Sequence, residues 1–172
     1  RLYQMIANLG LGLALGDAGG LFLNHVHIEE VELVVATGAA ELDLGRRQHH
    51  GEGLIGYVAR TGSPEIAYNY VYWHEQDPLL QAHRFQSLIA VPLRHAGEIE
   101  AVLFLAHTSQ PYRFTPDTLE ILERFAMHAA LVLRTIRIRI SSEWNTSAVG
   151  SAPCTASITC LYTERSSAVA LS

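Results

Sequence analysis

The chain has 172 residues, 49% of them hydrophobic and 17% charged, with a formal charge of -5. That length supports one sizeable core and falls short of two typical domains. Net negative charge argues against a nucleic-acid surface, which needs clustered cations to displace counterions, and the absence of lysine removes Schiff-base chemistry and a P-loop lysine together.

No run reaches the roughly 18 apolar residues of a membrane span, and no charged leader precedes an apolar stretch. A cytoplasmic location without a membrane partner is expected. Because Arg1 opens directly onto an apolar helical run, the native start is expected to lie upstream. The only cysteines are Cys154 and Cys160, so neither a disulfide framework nor a Cys-rich zinc site can organise residues 1–140.

In chain order, Arg1 to Leu15 reads as an apolar helix running out into a glycine-rich turn at Gly16, Gly19 and Gly20. Leu21 to His27 and Val31 to Ala36 read as a hairpin, with His25 and His27 two apart and so expected on one face. Arg46 to His50 is a polar connecting stretch. Gly51-Glu52-Gly53 then opens a helix through Leu54, Ile55, Val58 and Ala59 that Thr61-Gly62-Ser63-Pro64 ends. A short strand, Glu65 to Tyr68, leads into a long irregular segment, Asn69 to Gln86, rich in aromatic and histidine side chains.

Ser87 to Leu93 and Ile99 to Ala106 form a second hairpin whose continuous hydrophobicity predicts central strands covered on both faces. The last helix has the clearest start, with Thr115 as N-cap, Pro116 in the first helical position and Asp117 near the positive helix end. Leu119, Leu122, Ala126, Ala129 and Leu133 form one apolar stripe, and Ile121, Phe125 and Val132 another. One sheet cannot easily bury both, which predicts a homodimer built from the first and last helices. Arg134 and Arg137 are expected near the helix's negative end. From Ser141 to Ser172 the chain is rich in Ser, Thr and Ala and lacks periodicity, the pattern of a flexible tail or linker after a domain of residues 1–140.

This order of elements gives an α+β fold, an α/β/α sandwich whose central, mostly antiparallel sheet is covered by helices on both faces. Three runs, GEGLIGYVARTGSPEIAYNY (51–70), LIAVPLRHAGEIEAVLFLAH (88–107) and RFTPDTLEILERFAMHAALVL (113–133), resemble the GAF domains of bacterial sensor kinases and regulators. The resemblance implies the GAF-like (profilin-like) fold, a sensory role in a signal-transduction protein of the two-component type, and a downstream output module. It also implies a pocket on one sheet face roofed by Asn69 to Gln86. Ala101 departs from the family, which usually has glycine there.

Within that roof, Tyr68, Tyr70, Tyr72 and Trp73 offer flat faces with polar tips, while Asn69, His74, His83 and Arg84 offer hydrogen bonds or charge. The ligand-binding candidates are Tyr68, Tyr70, Tyr72, Trp73, His74, His83 and Arg84. Arg84 and His83, backed by Tyr70 and Trp73, would make the polar end of a pocket for a small anionic or aromatic metabolite. Covalent bilin attachment and GAF-type methionine sulfoxide reduction both need a cysteine that residues 1–140 lack, and the family's cyclic-nucleotide signature needs a lysine. No catalytic constellation appears, so the domain itself is not expected to be an enzyme. Nine histidines keep haem in view, with His74, His83 and His107 in suitable positions, but no metal-ligand spacing converges. Two readings stand, a ligand-sensing input domain and a structural dimerisation module whose pocket is packed shut.

Overall fold

A computed structural model describes residues 1–73, 85–111 and 113–147, without the side chains of Leu42 and of residues after Thr135 in the last helix. The chain divides into two units, Arg1–Arg137 and Ile138–Ser172. In the first unit α1 (Leu2–Ala14) precedes β1 (Ala18–His25) and β2 (Glu30–Thr37). There follow β3 (Arg47–His49), α2 (Gly53–Thr61), β4 (Glu65–Ala67), β5 (Ser87–His95), β6 (Glu98–His107) and α3 (Pro116–Ser147). Six strands form one sheet in the order β3-β2-β1-β6-β5-β4, every neighbouring pair antiparallel.

Alternation along the central strands builds two cores. Leu21 and Leu23 of β1, Val91 and Leu93 of β5, and Leu103 and Leu105 of β6 pack with Ile6 and Ala7 of α1 and with Leu122, Ala126 and Leu133 of α3. The intervening Phe22, Leu88, Ala90, Val102 and Phe104 face the other way, onto Leu54, Ile55, Val58 and Ala59 of α2. Helices therefore cover both faces, and the unbroken apolar runs of β5 and β6 follow from that double burial.

Gly19 and Gly20 lie inside β1 rather than in a turn before it. A Cβ on Gly20 would press on the Val35 carbonyl oxygen and stand 2.8 Å from Phe104 Cε1, so the glycines serve close strand packing. Ala96 (φ 50) and Gly97 (φ 86) make the two-residue turn between β5 and β6, the positive φ pair matching strand twist. Thr115 Oγ1 accepts the Thr118 amide at 3.2 Å, which caps α3 as its sequence predicts.

Four local expectations change. The polar stretch Arg46 to His50 contains an edge strand, because Arg47 and His49 stand opposite Glu32 and Glu30 while Gln48 between them is buried beside Val31. His27 falls in a 3-10 turn, Val26–Ile28, and does not share a strand face with His25, whose Nε2 lies 3.0 Å from Glu32. The backbone of α3 stays helical to Ser147, seven residues into the Ser/Thr-rich segment. Arg134 consequently sits mid-helix and binds carboxylates of β6, Glu100 at 2.9 Å and Glu98 at 3.9 Å, instead of the helix end.

Candidate functional site

The α2 face of the sheet is where the aromatic segment begins and ends. After β4, a 3-10 turn, Tyr70–Tyr72, lays Tyr70 onto this core at 2% exposure, and Phe85 returns to the same core at the far end. One main-chain bond ties the ends together and a second ties them to β6. The Tyr70 amide donates to the Gln86 carbonyl at 2.8 Å and the Gln86 amide to the His107 carbonyl at 2.7 Å. Phe22 and Phe104 meet beneath, ring centroids 5.5 Å apart and tilted.

Of the sequence candidates, Tyr70 and half-buried Trp73 come together on this core. Tyr68 and Tyr72 stand in solvent, Tyr72 at 83% exposure. His74, His83 and Arg84 lie outside the described residues. Asn69, named for its hydrogen-bonding capacity, matters more than its place in the sequence suggested. Among the described residues, its Oδ1 is buried without a hydrogen-bond partner directly before Tyr70. Phe85 escaped notice because one apolar residue at the end of a polar segment carries no periodicity.

At the sheet end nearest the start of α2, His50 Nε2 lies 2.6 Å from Asn24 Oδ1. Burial pushes the His50 imidazole below its ordinary pKa, and the Glu29 carboxylate partly opposes this. Gln48, also buried, donates through Nε2 to the Glu52 carbonyl at 3.2 Å.

Among the described residues, no group of three His, Cys, Asp or Glu side chains is placed to hold a metal ion. His107 lies on the opposite face from Tyr70. Its Nδ1 is 3.6 Å from Asp17, its Nε2 is buried, and its ring centroid is 5.2 Å from that of Phe114. Such close packing does not fit a porphyrin at His107.

With this geometry, comparison with known proteins is decisive for the family. The GAF domain model matches residues 2–133. The chain belongs to the GAF family. GAF domains are generally small-molecule-binding sensory modules of signalling proteins and generally non-catalytic. No curated protein matches the chain. Among solved structures, it is similar to the GAF domain of an Acinetobacter phosphoenolpyruvate-protein phosphotransferase, with 16% identity and a TM-score of 0.70 over 81% of this chain and 84% of that one. The second GAF domain of DevS from Mycobacterium smegmatis is 21% identical, with a TM-score of 0.66 over 81% and 96%. The free methionine-R-sulfoxide reductase of Neisseria meningitidis is 18% identical, with a TM-score of 0.68 over 81% of each chain. At these identities the likeness concerns the fold. Among the described residues of this GAF domain, no helix is long and apolar enough to cross a membrane.

Proposed function

We propose that this GAF domain is the small-molecule input module of a cytoplasmic signal-transduction protein, a sensor histidine kinase or transcriptional regulator, and that it has no catalytic activity of its own. The observation that carries the reading is the Oδ1 of Asn69, buried and without a hydrogen-bond partner among the described residues, in the segment that also lays Tyr70 and Trp73 on the α2 core. Leaving such a group unsatisfied costs about 1–3 kcal/mol, which a ligand hydrogen-bond donor would recover. Flat apolar rings next to one polar group suit a small aromatic or otherwise planar metabolite. His83 and Arg84 are proposed as its anion-binding end. The lack of cysteine in residues 1–140 supports a binding role over the chemistry of the reductase with the similar fold.

Calorimetry against a metabolite panel tests this. A ligand that binds the natural protein should bind Asn69→Leu about tenfold or more weakly, the loss expected for an unpaired polar contact. Tyr72→Ala should bind it normally, and Arg84→Ala should weaken only anionic ligands. Equal affinity for every ligand in the Asn69→Leu and natural proteins would refute the site.

A second reading, an assembly module with a closed pocket, draws support from Tyr70 and Phe85 filling the α2 face and from the apolar side chains α1 and α3 leave in solvent. It expects no ligand from the panel to bind.

A further inference from the structure

A polar chain crosses this domain from the turn before α2 to α3. His50 Nε2 donates to Asn24 Oδ1 at 2.6 Å, and Asn24 Nδ2 donates to the Ile99 carbonyl at 2.9 Å. Asn24 is buried, and its two contacts fix each other. Since a carbonyl faces Nδ2, Oδ1 must face a donor, which places a proton on His50 Nε2.

Ile99 directly precedes an irregularity in the ladder. Arg94 pairs with Ile99 but Leu93 with Ala101, so Glu100 is the extra residue of a β-bulge. The bulge changes which face each side chain serves. Ile99 packs against the α2 core and Ala101 belongs to the α1–α3 core. The buried Glu100 carboxylate reaches Arg134 of α3, Nη1 to Oε1 2.9 Å. Arg134 lies one helical turn before Arg137, where the first unit ends, and α3 runs on to Ser147.

A buried carboxylate is a poor device for stability, since its desolvation offsets most of the attraction to its partner. It is a good device for fixing one arrangement of a helix against a sheet. We propose that His50, Asn24, the Ile99–Glu100 bulge and Arg134 form a coupling relay, which passes the state of the turn before α2 to α3 at the end of the domain. With His50 seated, both ends of the Asn24 amide are satisfied and Ile99 is held. When His50 withdraws, Asn24 Oδ1 loses its donor, the amide must turn, and the bulge that aims Glu100 at Arg134 is freed. The groups facing His50 are the Glu29 carboxylate from the β1–β2 turn and neutral Asn24 from β1, while the Glu52 carboxylate at the start of α2 accepts the His49 amide at 3.0 Å.

The relay rests on the sensory reading for the signal it would carry, but its test uses no ligand, so each can fail alone. Amide hydrogen exchange of the full chain is compared in the natural protein, His50→Ala and His49→Ala. Exchange at Leu131 to Thr135 should quicken about fivefold or more in His50→Ala, while Leu21 and Leu103 in the core stay within about twofold and His49→Ala changes neither. Coupling must also run backwards. Arg134→Ala and Glu100→Gln should each move the titration midpoint of the His50 ring, followed by NMR. Unchanged exchange at Leu131 to Thr135, acceleration by the same factor at Leu21 and Leu103, or a His50 titration unaffected by both α3-side variants would each overturn the proposal.

Discussion

Gly20 sits in β1 between β2 and β6, with the Val35 carbonyl, Phe104 Cε1 and Leu33 Cδ1 crowding the place of a missing side chain. Two of those neighbours are fully buried and the third is backbone, so none can move cheaply. Gly20→Ala is therefore expected to destabilise by about 1–3 kcal/mol, the usual cost of overpacking, read from the urea midpoint at constant slope. His50 gives a prediction about pH. Its folded-state pKa lies below the ordinary value of 6.5, so the unfolded chain binds the proton more readily. The associated stability is complete above pH 6.5 and is lost as pH falls from there toward the lowered pKa. His50→Gln should flatten that part of the stability profile, measured by denaturation at a series of pH values. A profile of the same slope in both proteins would place the acid sensitivity elsewhere.

Among the elements, α1 is unusual in having no charged side chain from Leu2 to Ala14. Its inner side is explained by packing, since Gly10 lets Leu103 approach to 2.9 Å from where a Cβ would be. Gly12 has no such reason, with nothing within 4 Å of a Cβ built there. Together with Asn8, Leu11, Leu15 and Gly16 it lines an open groove of about 510 Å³. In a helix interior, glycine costs about 0.5–1 kcal/mol relative to alanine. Gly12→Ala should thus raise the melting temperature of the dilute protein. A lower melting temperature would mean that the groove is filled in solution and needs the missing side chain.

At the scale of the molecule, α1 and α3 bury one side each and leave Met5, Leu9 and Leu13 on one helix and Ile121, Leu131 and Val132 on the other in solvent, Leu9 at 53% and Leu131 at 55%. We expect a homodimer through these two helices, the parallel bundle carrying a signal toward the output module. Phe125, grouped by pattern with Ile121 and Val132, packs partly against the core and adds less to that surface. Light scattering at high micromolar concentration should give a dimer for the natural protein and a monomer for Leu9→Arg with Leu131→Arg. A natural protein that stays monomeric would end this proposal.

The periodic and punctuated parts of the chain declared themselves. Apolar runs bounded by glycine and proline are local signals, so α1, α2, the β5–β6 hairpin and the capped start of α3 could be read directly, and with them the layered fold, while the family came from the resemblance of three of its runs. What the sequence could not determine depended on partners distant along the chain. Arg47-Gln48-His49 is a strand only because Glu30 and Glu32 stand opposite, and Gly19-Gly20 is a strand interior only because β2 and β6 press on it. Arg134 finds β6 carboxylates because α3 packs on the sheet face that β6 helps to form. The candidate site divides the same way. Residue type identified the aromatic segment, but only folding sorted Tyr70 inward from Tyr72 outward and stranded the Asn69 oxygen. Burial and hydrogen-bond satisfaction are settled by the whole chain at once, and no local pattern encodes them.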